Sequence, residues 1–349
     1  MSVIFRLAIF VVCLLSWVSC TSKPAILPEP TVGTRVEAMN DSVWSYSCWI
    51  SVTDAPVITD TVYDGSRAAD GANWFVLTIP ADKSISKAVW MTAGLGVYDL
   101  FVNGKRVGNE FLKPGFTHYA KTKRSFTYDI TDALQSPLCT LRASLREQPT
   151  PRTSAITNVL AAQVTPGWWA DKIITPAGTP GMYGRKCAFR AVLQLVFADG
   201  SVEYIGTDTL RWKAGIAGPV KHAAIFDGEE YDARVPMGYD TPGLLAAPEI
   251  NTEFKGDILP SEGAEIYLRY DLALTPQQAY VYSAIESADS ARYGRVVMDR
   301  TYKAGDKMTL SAGETLVLDF GQNCAAVPAF CFSAPEGTTL VFEGGGTAE

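Results

Sequence analysis

The chain has 349 residues, 47% of them apolar and 19% charged, with a formal net charge of −7 and a pI near 5.1. That length suits two domains or three small ones, and the apolar share supports real cores and excludes a disordered chain. The acidic balance, with no basic run, excludes a protein built on contacts to nucleic-acid phosphates.

Residues 1–19 read as a signal peptide: Arg6 supplies the positive charge, Leu7 to Val18 the apolar stretch, and Val18-Ser19-Cys20 the small-residue end. A cysteine at the cleavage point resembles the lipobox of bacterial lipoproteins. Cys20 is therefore expected to become the lipidated first residue of an exported chain, anchored in the bacterial cell envelope and facing the periplasm or the surface. The alternative is an ordinary signal peptide that contains a cysteine. The apolar stretch falls short of the roughly 20 residues of a membrane-spanning helix. Residues 20–42 follow as a tether, with Pro24, Pro28, Pro30 and Gly33 among small polar residues.

From Val43 onward the apolar runs are short, β-branched or aromatic, and bounded by turn residues, which predicts a mainly β chain. Strands are expected at 74–79, 87–91 and 191–197, the last turning at Asp199-Gly200 into 201–205. Within Gly94 to Tyr119 the pair Asn103-Gly104 follows a strand-like run, a strong short-range hairpin signal. Pro114-Gly115 then breaks the chain before the aromatic pair Phe116 and Tyr119. Helical signals are few, and Pro149 and Pro151 limit any helix at 141–148 to a short one. A turn to Pro, Gly and Glu between Pro242 and Pro260 marks a boundary, giving a first domain at 43–240, a linker at 241–265 and a second region at 266–349. In that region strands are expected at 280–283, 295–298, 307–310, 315–318 and 330–332. Strands at such spacing predict a sandwich.

The segment Gly94 to Tyr119 is followed by Thr127-Tyr128-Asp129-Ile130-Thr131-Asp132, Pro166-Gly167-Trp168-Trp169, Trp212 and Tyr231-Asp232-Ala233-Arg234. In this order and spacing the motifs resemble the N-terminal β-sandwich of bacterial α-L-rhamnosidases, inverting enzymes of the glycoside hydrolase family 78 type. Leu318-Asp319-Phe320-Gly321-Gln322-Asn323 resembles the opening of the next sandwich in that family. The resemblance implies an all-β chain: a jelly-roll, galactose-binding-like β-sandwich, then the start of a concanavalin-like one, without the (α/α)6 catalytic barrel. It also makes residues 136–157 an inserted loop.

In the family the general acid and base are carboxylates of that barrel, and the sequence reaches Glu349 before one. An inverting glycosidase needs two carboxyls about 6.5–9.5 Å apart, and no pair here is nominated as catalytic. The expectation is a scaffold or glycan-binding portion, inactive alone, of a lipoprotein enzyme acting on rhamnose-containing glycans. The alternatives are a self-standing carbohydrate-binding lipoprotein derived from such an enzyme and a hydrolase using carboxylates of the sandwich itself.

Candidate carbohydrate contacts are Trp168 and Trp169, Asp171, and His118 in the family-like loop. A planar indole matches the C–H face of a pyranose, but neighbours on a strand point to opposite faces, so at most one indole serves as a platform. Asp227, Glu229, Glu230 and Asp232 offer oxygens that suit calcium, against the plainer reading of a solvated turn paired with Arg234. No other cofactor is expected. His118 and His222 are the only histidines and are too far apart in sequence for a His-x-x-x-His zinc pair. Cys48, Cys139, Cys187, Cys324 and Cys331 fit no disulfide framework.

Overall fold

The computed structural model describes residues 30–53, 71–134, 157–172, 180–226, 228–263, 265–285, 295–303, 306–330 and 333–341. The signal peptide, Cys20, Asp227, Cys139, Cys331 and the body of the loop expected at 136–157 lie outside them. The described chain divides into two compact units, one holding residues 30–268 and 333–341 and the other residues 269–330.

In chain order the strands of the first unit are β1 Thr34–Arg35, β2 Ile50–Ser51, β3 Asn73–Pro80, β4 Ile85–Leu95, β5 Val97–Val102, β6 Lys105–Arg106, β7 Glu110–Phe111, β8 Thr122–Asp129, β9 Thr157–Thr165, β10 Ala188–Phe197, β11 Val202–Gly206, β12 Trp212–Ile216, β13 Val220–Ala224, β14 Gly228–Tyr231, β15 Glu249–Ile250, β16 Asp257–Pro260 and β17 Ile266–Tyr267. An eight-stranded sheet runs β1-β8-β4-β10-β2-β15, with β11 also on β10 and β16 on β8. A five-stranded sheet runs β12-β3-β9-β5-β6. The sheets form a sandwich whose core takes alternate residues from each: Trp90 of β4, Phe126 and Tyr128 of β8, Phe189 and Leu193 of β10, facing Phe75 and Leu77 of β3, Leu100 of β5 and Leu160 of β9.

The central strands are apolar on both faces because both sheets are also covered on the outside. In β4, Trp90 enters the inter-sheet core while Met91, Ala93 and Leu95 enter a second cluster. A third cluster, built on Trp74, Val76 and Phe101, lies on the outer side of the five-stranded sheet. Two covered faces explain why these strands read as continuous apolar runs rather than clean alternations.

The expected hairpin is present. Asn103 and Gly104 take φ of 49° and 77° between β5 and β6, as a two-residue turn matching the strand twist requires. The segment expected as a linker at 241–265 is instead part of the first unit, with β15 paired to β2 and β16 to β8 in parallel, and β17, expected in the second region, pairs with β7 of the first. Such short edge strands are held by main-chain hydrogen bonds, which need no side-chain alternation and permit Pro and Gly nearby.

The second unit is a three-stranded antiparallel sheet in the order β19-β18-β20, from β18 Gln278–Ile285, β19 Arg295–Lys303 and β20 Glu314–Asp319. Residues 307–310 form no strand, against expectation. Side chains take up the backbone there: Arg300 donates to the Thr309 carbonyl at 2.7 Å, and the Ser311 N–H donates to Glu314 at 2.7 Å. Local bonds of this kind compete with a ladder.

Candidate functional site

On β8 the inward residues Phe126 and Tyr128 leave Lys123, Ser125 and Thr127 on the outer face of the eight-stranded sheet. The second cluster covers this face: Val43, Trp44, Trp49, Tyr119, Trp169, Ala170 and Phe254 pack over Met91, Ala93, Leu95 and Val192. Two segments bring the candidate residues here, the loop between β7 and β8 and the connection between β9 and β10.

The second connection begins with a single helical turn, α1, Gly167–Ala170. Pro166 opens it, its carbonyl accepting from the N–H groups of Trp169 and Ala170, both at 3.2 Å. Gly167 has φ of +49° and packs against Val97, where a Cβ would come within 2.5 Å of a Val97 methyl. Trp168 and Trp169 are therefore neighbours on a helix, about 100° apart, rather than on a strand with opposed faces. This corrects the expected geometry.

Trp169 is 1% exposed and its Nε1 donates to the Lys186 carbonyl at 2.9 Å. Lys123 Nζ lies 4.5 Å from its ring, Phe254 meets it edge-on at 6.3 Å, and a Cβ on Gly184 would strike the indole. No free face remains for a sugar, so Trp169 is a core residue and not a platform. Trp168 is half-buried against the same cluster. Asp171 is buried, and its Oδ2 accepts from the Ile225 N–H at 2.6 Å, tying the end of α1 to the chain after β13.

His118 is exposed, with its ring 6.1 Å from Tyr183. Tyr183 also meets buried Tyr119 at 5.6 Å, and Tyr119 meets Phe116 at 5.8 Å. The loop is pinned from within: the His118 carbonyl accepts from the N–H groups of Lys121 and Thr122 at 2.8 and 3.1 Å, Thr117 Oγ1 donates to the Thr122 carbonyl at 2.8 Å, and the Tyr119 hydroxyl donates to the Gly115 carbonyl. Phe116 is 57% exposed, and Met182, beside Tyr183 in the chain, is 53% exposed. The result is a rigid surface of Phe116, His118, Met182 and Tyr183 whose aromatic groups are backed by Tyr119. Its polar rim can hydrogen-bond while its rings offer apolar faces.

Beneath it Lys123 is fully buried. Its Nζ has no hydrogen-bond partner among the described residues and sits 3.0 Å from the Tyr119 ring centroid. Burial without a counter-charge pushes its amine down to about 6. Lys113, also buried, donates to Tyr128 and to the Val107 carbonyl at 3.3 Å each, and burial pushes it down to about 8. Sequence reasoning passed over Lys123 and Tyr183. The alternation of β8 places Lys123 outward, but only tertiary structure shows that face to be covered.

Of the calcium candidates, Asp227 lies outside the described residues, and the other three form no cluster among those described. Glu229 and Glu230 are consecutive on β14 and point to opposite faces. Asp232 makes a 2.8 Å ion pair with Arg234 that holds its carboxyl down at about 2. No group of metal-binding side chains occurs among the described residues.

Residues 83–147 and 150–254 match the α-L-rhamnosidase N-terminal domain family. This part of the chain is an α-L-rhamnosidase N-terminal domain. The match is interrupted at residues 148–149, within the segment expected as an inserted loop. An α-L-rhamnosidase of Streptomyces avermitilis is 36% identical over 163 residues, covering 46% of this chain and 14% of the relative. One from an Alteromonas species is 24% identical over 296 residues, covering 84% of this chain and 26% of the relative. The chain thus spans about a quarter or less of these relatives. The crystal structure of an Aspergillus terreus α-L-rhamnosidase superposes on 71% of the chain and 28% of its own with a TM-score of 0.53 at 21% identity, a likeness of fold. The rhamnosidase N-terminal domain accounts for the sandwich from β4 to β15, including α1 and the aromatic loop.

Proposed function

We propose that this chain is the non-catalytic N-terminal portion of an exported, lipid-anchored α-L-rhamnosidase whose full-length form hydrolyses terminal α-L-rhamnosides with inversion. Cys20 is the lipidated residue, and the first unit is a scaffold that also meets rhamnose-containing glycan. The observation that carries the reading is the family match over both sheets, in a chain covering only 14% and 26% of the two rhamnosidases compared. The aromatic surface of Phe116, His118, Met182 and Tyr183 is the part of the domain suited to touch sugar, because exposed rings held by a pinned loop lose little entropy on binding.

Three measurements test this. The purified chain is expected to release no rhamnose from an aryl rhamnoside, and turnover that follows the protein through purification would overturn the non-catalytic reading. Calorimetric titration with a rhamnose-bearing oligosaccharide is expected to show binding that weakens about tenfold in Phe116→Ala. In cells, labelled palmitate is expected to enter the chain and to be lost in Cys20→Ser; labelling that survives the substitution places the lipid elsewhere.

A further inference from the structure

Tyr46 closes a two-turn 3-10 helix, Asp41–Tyr46, and its ring lies flat on that of Tyr204 in β11, with centroids 4.8 Å apart and planes within 6°. Everything behind the pair is fixed. Asn40 caps the helix by accepting from the Ser42 N–H at 2.9 Å. Arg190 of β10 clamps its other end, donating to the Trp44 and Ser47 carbonyls at 2.5 and 2.9 Å and to Ser47 Oγ at 3.0 Å. The backbone of Tyr46 rests directly on Gly206, where a Cβ would collide with the Tyr46 carbonyl. Tyr204 is oriented by Gln194, whose amide donates to its hydroxyl at 2.8 Å.

Tyr46 is nevertheless 55% exposed. Tyr204 covers one of its faces, so the open surface is the opposite face, flat and already immobilised. Tyr204 packs against the second cluster, but Tyr46 does not: the apolar residues of its own helix that reach that cluster are Val43 and Trp44. A backed aromatic face fits the C–H face of a pyranose, whose hydroxyls then meet polar groups at the edge. Asp41 in the same helix and the net charge of −7 disfavour an anionic sugar.

We propose that Tyr46 and Tyr204, with Gln194, form a pyranose platform for a neutral glycan. It is a second contact, separate from the surface around Phe116 and Tyr183, and rests on the reading of the first unit as glycan-directed. Ala188, in the cluster with Trp169, and Gln194 lie on the same strand, roughly 20 Å apart by strand rise.

The test uses the full chain, titrated with methyl α-L-rhamnoside and with a neutral rhamnose-bearing oligosaccharide, by calorimetry and ligand-observed NMR. Wild type, Phe116→Ala, and Phe116→Ala combined with either Tyr46→Ala or Tyr46→Phe are compared, with near-ultraviolet circular dichroism confirming the fold of each. Residual binding in Phe116→Ala is expected to fall about tenfold further with Tyr46→Ala and to stay within about twofold with Tyr46→Phe, which keeps the face. Binding in Phe116→Ala that Tyr46→Ala leaves unchanged overturns the platform while the glycan-directed reading stands. Loss of all binding in Phe116→Ala alone overturns it in the same way. A wild type that binds neither probe overturns both readings.

Discussion

Lys123 is the residue whose environment is hardest to reconcile with ordinary stability. It is fully buried among Tyr119, Trp169 and Phe254, and no carboxylate contributes to the shift of its amine. Folded, it gives up its proton near pH 6, whereas an unfolded lysine holds one to about 10.4. Between those values the unfolded chain binds a proton that the folded chain does not, so this residue makes stability rise with pH across the window. Below about pH 6 both states are protonated and the cost is at its full value. Lys123→Met keeps the length of the stem and removes the titration. It is expected to raise the melting temperature most near pH 6, less at pH 8, and least at pH 10. Equal gains at pH 6.5 and pH 10 in thermal melts would show that the amine is not shifted in the fold. His118, two residues beyond Phe116 on the exposed rim, provides a contrast: His118→Ala is expected to leave the melting temperature nearly unchanged, because an exposed side chain away from the core contributes little.

At the scale of elements, the hairpin between β5 and β6 combines two kinds of information. The positive φ at Asn103 and Gly104 is a local demand, and it was legible because few residue pairs satisfy it. The tie to β9 is not local. Asn103 Oδ1 accepts from the Val159 N–H, and its Nδ2 donates to Asn158 Oδ1 and the Ala133 carbonyl, each at 2.9 Å. That role depends on sheet order, which no window of sequence contains. Asn103→Gly keeps the turn and removes all three bonds, leaving a half-buried N–H without its acceptor, at a cost of about 1–3 kcal/mol. Gly104→Ala meets only the Tyr239 side chain, at 3.7 Å or more, and its cost is mainly the left-handed backbone, about 1–2 kcal/mol. Urea midpoints are expected to fall for both, and a Gly104→Ala loss several times that of Asn103→Gly would return Asn103 to a plain turn residue. The same division between local and remote explains α1. Pro-Gly marks a turn, but that the next residues wind into a helix and drive Trp169 into a core depends on Val97, Gly184 and Lys186, all distant in sequence. The candidate surface was legible only through His118 and Phe116, because Tyr183 reaches them from another connection.

For the whole molecule, the question is how much of the chain the first unit needs. Its three buried clusters and the side chains packed on them draw only on residues from Val32 to Ile258. The strands after Pro248 nevertheless complete its sheets, β15 on β2, β16 on β8 and β17 on β7. Phe254, between the first two of these, fills the second cluster with its ring 5.8 Å from Trp49 and 6.3 Å from Trp169. Two chain ends therefore separate two readings of residues 249–268. If they are a linker, chains ending at Pro248 and at Leu268 have the same stability. If they are structural, ending at Pro248 removes a buried phenylalanine, worth about 3–5 kcal/mol when truncated in other cores, and leaves strand edges unpaired. A chain ending at Leu268 is expected to keep the main calorimetric transition. One ending at Pro248 is expected to melt well below it, by more than 10 °C given about 4 °C or less per kcal/mol for a domain of this size and losses at several edges together. Coincident transitions for the two would mean that the covering segment adds nothing to the sandwich, and that the outer cluster around Trp169 and Lys123 is held without it, by Val43, Trp44 and Trp49 and the loops at 112–121 and 180–187.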